Sequence, residues 1–217
     1  MGNATPKEIS DYTGLQPGAI SKYLHELVNN YEIVIPEKPV IMSRVRDTRY
    51  FLPDSFFNFW FRFIYKNSRL LEINPEKAFE LIMKNINSYF GKAFEKQAVE
   101  FLIEMNRKGL LPFEFMDIGR WWHKTQEIDI ITLNKEKKEI SFFECKRSSL
   151  DSNEAEIILA ELKRKATLVN WYNTKRKVRY GIIAKEILDK EKLRDMGYMV
   201  FDLGDFATFC SRADKSC

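Results

Sequence analysis

The sequence predicts an α/β fold for the C-terminal part of the chain, a mixed β-sheet flanked by helices. Residues 113–118, 127–133 and 139–146 read as strands, each rich in apolar residues that alternate with polar ones. The second and third are joined by Asn134-Lys135-Glu136-Lys137-Lys138, a polar turn short enough to force antiparallel pairing. A helix over 153–173 and further strands over 178–184 and 198–203 follow, so the later strands come after helices and the sheet is mixed and covered on both faces.

The N-terminal part predicts a different architecture. Thr5-Pro6-Lys7-Glu8 is a helix start, with Thr5 as N-cap, proline at the first helical position and Glu8 closing a capping box. Ile9 and Tyr12 give this helix its packed face and Gly14 stops it. A second helix runs from Pro17 with Ile20, Leu24 and Leu27 on one side. Extended pieces at 33–35 and 50–52, separated by Pro36, Pro39 and Arg46-Asp47-Thr48-Arg49, form a hairpin wing, so that the whole is similar to a winged helix-turn-helix. A complete module has one more helix before the pair, so this one is read as truncated.

Asp54 or Ser55 caps an aromatic helix, Phe56 to Tyr65, too short and too polar to span a bilayer and read as a core helix. Pro75 opens a short helix to Asn85, and Ser88 caps a longer one to Arg107. The divisions are 1–66 for the truncated winged helix, 67–87 for a helical connector, 88–210 for the α/β domain and 211–217 for a tail.

Composition narrows the chemistry. The chain has 217 residues, 45% of them apolar, enough for a core; 35 basic against 31 acidic side chains leave a net charge of only +4. A surface for a polyanion must therefore be local. Three cysteines without CxxC spacing and two histidines, His25 and His123, argue against a zinc site. The odd cysteine count and the lack of a secretory signal fit a reducing, cytoplasmic compartment, with Cys145 a small buried residue in a strand.

The residues that carry chemistry lie on the two hairpin strands. Alternation puts Glu127 and Asp129 on one face of the first and Glu144 and Lys146 on one face of the second, and the hairpin register can set them side by side. Acids this close raise one another's proton affinity unless a divalent cation neutralises them, and a hard cation such as Mg2+ (or Mn2+) takes oxygen ligands. Asp129 and Glu144 are the metal ligands of this reading. Lys146 orients the attacking water or neutralises charge on a phosphodiester.

Glu127-Ile-Asp129 followed by Phe142-Phe-Glu144-Cys-Lys146 resembles the D…ExK signature of the PD-(D/E)XK nuclease superfamily, and the element order resembles its restriction endonuclease-like αβββαβ core. In Mrr-like enzymes and archaeal Holliday-junction resolvases of that superfamily an acid on the first core helix joins the site. Gly91-Lys-Ala-Phe-Glu95 matches that position, which implies Glu95 as a catalytic residue. Across nearly the whole chain the winged helix, Phe57-Asn-Phe-Trp-Phe-Arg-Phe, Gly119-Arg-Trp-Trp, Glu-Ile-Asp and Glu-Cys-Lys resemble the C-terminal domain of unknown function of archaeal DEXX-box ATPases. Those proteins carry a P-loop upstream; none of the nine glycines here sits in such a motif, so this chain is not expected to hydrolyse ATP.

Each position also has a plainer reading. Glu127 is an accessory ligand or, favoured, the ion-pair partner of a nearby lysine; Glu95 is a site acid or a surface partner of Lys92 or Lys96. Lys163 and Lys165 could extend the site toward phosphate, but Glu161-Leu-Lys-Arg-Lys reads first as a solvated helix face. Of Trp121 and Trp122, one is expected buried and one exposed. Gln16, Ser21 and Lys22 on the second helix are candidate groove contacts, His25 reads as merely exposed, and Arg44, Arg46 and Arg49 on the wing are candidate phosphate contacts.

Two functions stay open: a magnesium-dependent nuclease acting on duplex or branched DNA, and a non-catalytic DNA-binding or protein-docking module that keeps the fold. An ATPase subunit in trans and a second copy of the chain are the open protein partners; a membrane is not expected.

Overall fold

The computed structural model describes residues 4–41 and 48–213, without the side chains of 210–213. It forms two compact units, Met1–Tyr89 and Phe90–Cys217.

In the first unit, α1 (Pro6–Thr13) starts on the expected capping box: Thr5 accepts the Glu8 N–H, and Glu8 accepts the Thr5 N–H at 2.7 Å. It ends at Gly14, whose φ of 71° is the left-handed conformation glycine adopts without strain. Tyr12, expected on the packed face, is 70% exposed; the eight-residue helix buries none of its residues fully. α2 (Pro17–Asn29) buries Ile20 and Leu24. β1 (Ile35–Glu37) and β2 (Arg49–Phe51) pair antiparallel, and Ala4 bridges to Tyr50 on the same small sheet.

The aromatic segment is not the expected core helix. α3 (Ser55–Phe59), capped by Asp54, continues into a π-helical turn at Trp60–Ile64 and a 3-10 turn at Tyr65–Asn67 before α4 (Ser68–Ile73). Aromatics crowd every side of this segment while only one stripe can face inward. Phe63 is buried and meets Tyr89 edge-on, whereas Phe56 and Tyr65 are each 65% exposed. α5 (Pro75–Arg107) is one continuous helix rather than two. Ser88, expected to cap a second helix, bonds back to the Asn85 carbonyl within the same one.

The second unit holds β3 (Asp117–His123), β4 (Gln126–Asn134), β5 (Glu139–Leu150), α6 (Ser152–Ala166), β6 (Lys177–Ile187), α7 (Lys190–Asp195), β7 (Met199–Asp202) and α8 (Leu203–Ala213). The five strands lie in the order β3-β4-β5-β6-β7; the first three pair antiparallel, and β5-β6 and β6-β7 pair parallel. Counting from α5, the expected αβββαβ order is present in this mixed, helix-flanked sheet. Phe94, Ala98 and Leu102 of α5 pack on Ile130, Phe143, Cys145 and Ile183. Ala155 and Leu159 of α6 pack with Ile182, Ala184 and Val200.

Three local differences have physical causes. The first strand begins at Asp117, not 113, because Asn106 takes the Phe115 N–H (2.9 Å) and donates to the Phe115 carbonyl (3.0 Å), pinning Phe113 and Phe115 as core plugs. α6 stops at Ala166, where Arg176 donates to the carbonyls of Ala166, Val169 and Trp171 and closes the loop. Trp121 and Trp122 are both buried, since neighbours on a strand point to opposite faces and this sheet is covered on both. Gly181, between β5 and β7, has no room for a side chain: a Cβ there would lie 2.6 Å from the Met199 carbonyl oxygen and inside the Phe143 ring contact.

Candidate active site

The site forms where β4 and β5 part. Their ladder runs from Asn134↔Glu139 to Ile130↔Phe143 and stops there. One residue further on, the Asp129 side chain replaces a ladder carbonyl: its Oδ2 accepts the Cys145 N–H at 2.9 Å, so the backbone donor stays satisfied while the strands separate.

Glu144 is set beside Ile182 of β6, whose side chain packs with α6, whereas its neighbour Cys145 packs with α5. The Glu144 side chain is only 10% exposed, and a carboxylate so buried needs cationic partners. It has two. Lys146 Nζ donates to Oε1 at 3.0 Å, and Lys165 Nζ, from the last turn of α6, lies 3.3 Å from both oxygens. Burial works to lower the Lys146 pKa, but the charge and hydrogen bond of Glu144, with help from Asp129, leave it raised, so this ammonium stays protonated.

Glu95 comes in from α5, 17% exposed, with Lys92 at 2.8 Å and Arg120 Nε at 3.7 Å. Its pKa is raised, first by burial and then by the charge of Asp129, against the pull of Lys92 and Arg120. Burial, then Asp129, Glu95 and Glu144, push the Cys145 thiol well above its usual value, so it stays protonated. Asp129 thus lies within electrostatic reach of both Glu95 and Lys146, and Lys146 holds Glu144.

Glu127 turns to Arg120 (3.3 Å), which links it to Glu95; the partner is an arginine, not the expected lysine. Lys165 is not on a solvated face: it is 17% exposed and follows Leu162 on the inner side of α6. Arg120 is the residue that sequence reasoning missed, and Lys165 the one it considered and set aside. The signals for them were Arg120 beside the site acids on the neighbouring strand and the three-residue spacing of Lys165 from a buried leucine.

The carboxylate oxygens of the site are the donor type a hard cation takes. Among the described residues no group of three or more His, Cys, Asp or Glu side chains is placed to hold a metal ion. Two carboxylates, Asp129 and Glu144, are nonetheless the number that magnesium, which keeps several of its waters, takes from a protein.

In the first unit Gln16, Ser21 and Lys22 are exposed along the first half of α2, with the Ser21 hydroxyl donating to the Pro17 carbonyl at 3.0 Å. His25 is exposed, its ring Nδ1 2.9 Å from the Asn29 amide. Arg49 is half-buried on β2, and Arg44 and Arg46 lie outside the described residues. No helix among the described residues is long and apolar enough to cross a membrane.

Comparison with known proteins adds family context. Residues 60–158 match the family model DUF234, described as archaea bacterial proteins of unknown function. An uncharacterized protein of Methanocaldococcus jannaschii is 37% identical over 210 residues, 95% of this chain and 46% of its own length. The chain therefore spans about half the length of the curated relative it matches. Among solved structures, a repair endonuclease from Pyrococcus abyssi is similar over 50% of this chain and 45% of its own, with a TM-score of 0.34 and 16% identity.

Proposed function

We propose that the second unit is a magnesium-dependent nuclease-like domain that hydrolyses phosphodiester bonds in duplex or branched DNA. Its main support is the convergence of Asp129, Glu144 and Lys146, with Glu95 at the edge, at the opening between β4 and β5. Asp129 and Glu144 would hold Mg2+ or Mn2+, which when bound supplies positive charge to the phosphodiester and acidifies water. Lys146, held protonated by Glu144, offsets charge gathering on the phosphate and orients the attacking water rather than acting as a base. Glu95, with its proton affinity raised, takes a hydrogen bond from water in the site.

In the first unit, Gln16, Ser21, Lys22, Arg46 and Arg49 would hold duplex DNA as a winged helix does. By its resemblance to the C-terminal part of archaeal DEXX-box ATPases, the domain would act with an ATPase in cis or in trans.

A specific observation favours the competing reading, a DNA-binding or docking module without catalysis: both Glu144 oxygens already meet lysines. Incubation with plasmid, branched and single-stranded DNA plus Mg2+ or Mn2+ separates the two. Cleavage that Lys146→Ala abolishes is expected; intact DNA in every lane would leave the binding module.

A further inference from the structure

We propose that Lys165 is a positioning residue that serves as an internal counter-cation for Glu144, occupying the carboxylate when no metal is bound and giving it up to a divalent cation. The inference rests on the metal-site reading and adds a residue and a regulation to it.

The geometry sets Lys165 apart from Lys146. Lys146 reaches one Glu144 oxygen from the same strand and is 39% exposed, so its ammonium remains at the mouth of the site whether or not Glu144 is engaged elsewhere. Lys165 comes from a different element, lies at equal distance from both oxygens and is 17% exposed. A cation centred on both oxygens stands where a hard divalent ion would also bind the carboxylate. Two cations cannot share that position without strong repulsion.

The distances point the same way. At 3.3 Å the Lys165 contacts are longer than the 2.7–2.9 Å usual for a strong ammonium–carboxylate hydrogen bond, so this is mainly a charge contact that can be given up. The ammonium is also able to leave: a lysine stem is flexible, and Lys165, at 17% exposed, is not sealed from solvent. Metal binding is then an exchange of one cation for another on Glu144, and the empty site does not leave a buried carboxylate unpaired.

The exchange makes predictions that a purely structural lysine does not. Lys165→Met keeps the stem and removes the charge. Without metal it should melt lower than the wild type, by about 4 °C. It should also bind Mn2+ about tenfold more tightly, because a competing charge beside the ligand is gone. Saturating Mn2+ should close most of the melting gap. Lys165→Arg, which keeps the charge in a group better suited to hold both carboxylate oxygens, should bind Mn2+ no more tightly than the wild type.

Titration calorimetry with MnCl2 and thermal melts with and without Mn2+, on the full chain and both variants, test this. Equal Mn2+ affinity in the wild type and Lys165→Met, with a melting gap that Mn2+ leaves untouched, overturns the exchange and reduces Lys165 to a structural ion pair while the metal site stands. Absence of Mn2+ binding in all three proteins overturns the metal site and the exchange with it. If Lys165→Met does not fold, Lys165→Arg alone decides: an affinity above that of the wild type contradicts the exchange.

Discussion

Two clusters of opposed charge in the second unit are built from similar residues and reach opposite electrostatic ends. At the corner between β7 and α8, Asp202 and Asp205 accept each other's backbone N–H, at 2.9 and 3.2 Å. Lys190 reaches both acids at 2.9–3.1 Å, and Arg194 adds two bonds to Asp205. Burial works to raise the Asp205 pKa, but the Asp202 N–H, Arg194 and Lys190 outweigh it and leave the pKa lowered. Between β4 and β5, burial and the charge of Asp129 outweigh Lys92 and Arg120, and the Glu95 pKa is raised. The corner has settled its charges into a helix start. At the site Lys92, Arg120, Lys146 and Lys165 face the acids, yet burial and the charge of Asp129 still leave Glu95 with a raised proton affinity, which marks it as a candidate functional group where the corner is a structural ion cluster.

The largest effect that would sharpen this contrast is catalytic. Lys146→Ala should lower DNA cleavage by about 10²–10³-fold, the size of effect seen when one transition-state charge partner is removed, with the melting temperature nearly unchanged. Cleavage at the wild-type rate would move Lys146 out of the mechanism. Asp205→Ala should do the reverse, costing about 1–3 kcal/mol in denaturant unfolding by removing the carboxylate that Lys190, Arg194 and the Asp202 N–H share, and leaving cleavage intact.

Next in size, Gly181→Ala should cost about 1–3 kcal/mol, since the added methyl meets the Met199 carbonyl and the Phe143 ring behind the site. Wild-type stability in that variant would mean that the β5-β6-β7 spacing yields more easily than its packing indicates.

The smallest effect is the most diagnostic of the raised proton affinity of Glu95. A raised folded pKa means that Glu95 favours folding below its unfolded value of 4.5 and loses that contribution as pH rises through the folded value, so its ionised form weakens the fold at neutral pH. Glu95→Gln should therefore gain stability at pH 7, by less than about 1 kcal/mol, and the gain should vanish below pH 4.5. Asp205 runs the other way: its lowered pKa gives stability present above 3.8 and lost as pH falls through the folded value. A Glu95→Gln variant less stable than the wild type at pH 7 would show that Lys92 and Arg120 satisfy Glu95 after all.

Much of this was legible in the sequence where local chemistry and tertiary structure agree. The Thr5 capping box, the Gly14 stop, the antiparallel β4–β5 hairpin and the pairing of Glu144 with Lys146 all follow from period and spacing. Features set by distant partners were not. Asn106 delays β3 and Arg176 ends α6; each depends on a contact that no local period encodes. Lys165 was obscured for a related reason. Glu161-Leu-Lys-Arg-Lys is mostly charged, and only the packing of Leu162 and Ala166 shows that one of its lysines turns inward.

The central claim is that Asp129 and Glu144 form a divalent-cation site. Titration calorimetry of Mg2+ and Mn2+ into the wild type and the Asp129→Ala, Glu144→Ala double variant tests it most directly. Saturable binding in the wild type that the double variant loses is the expected result. No binding in the wild type, or equal binding in both proteins, would contradict it.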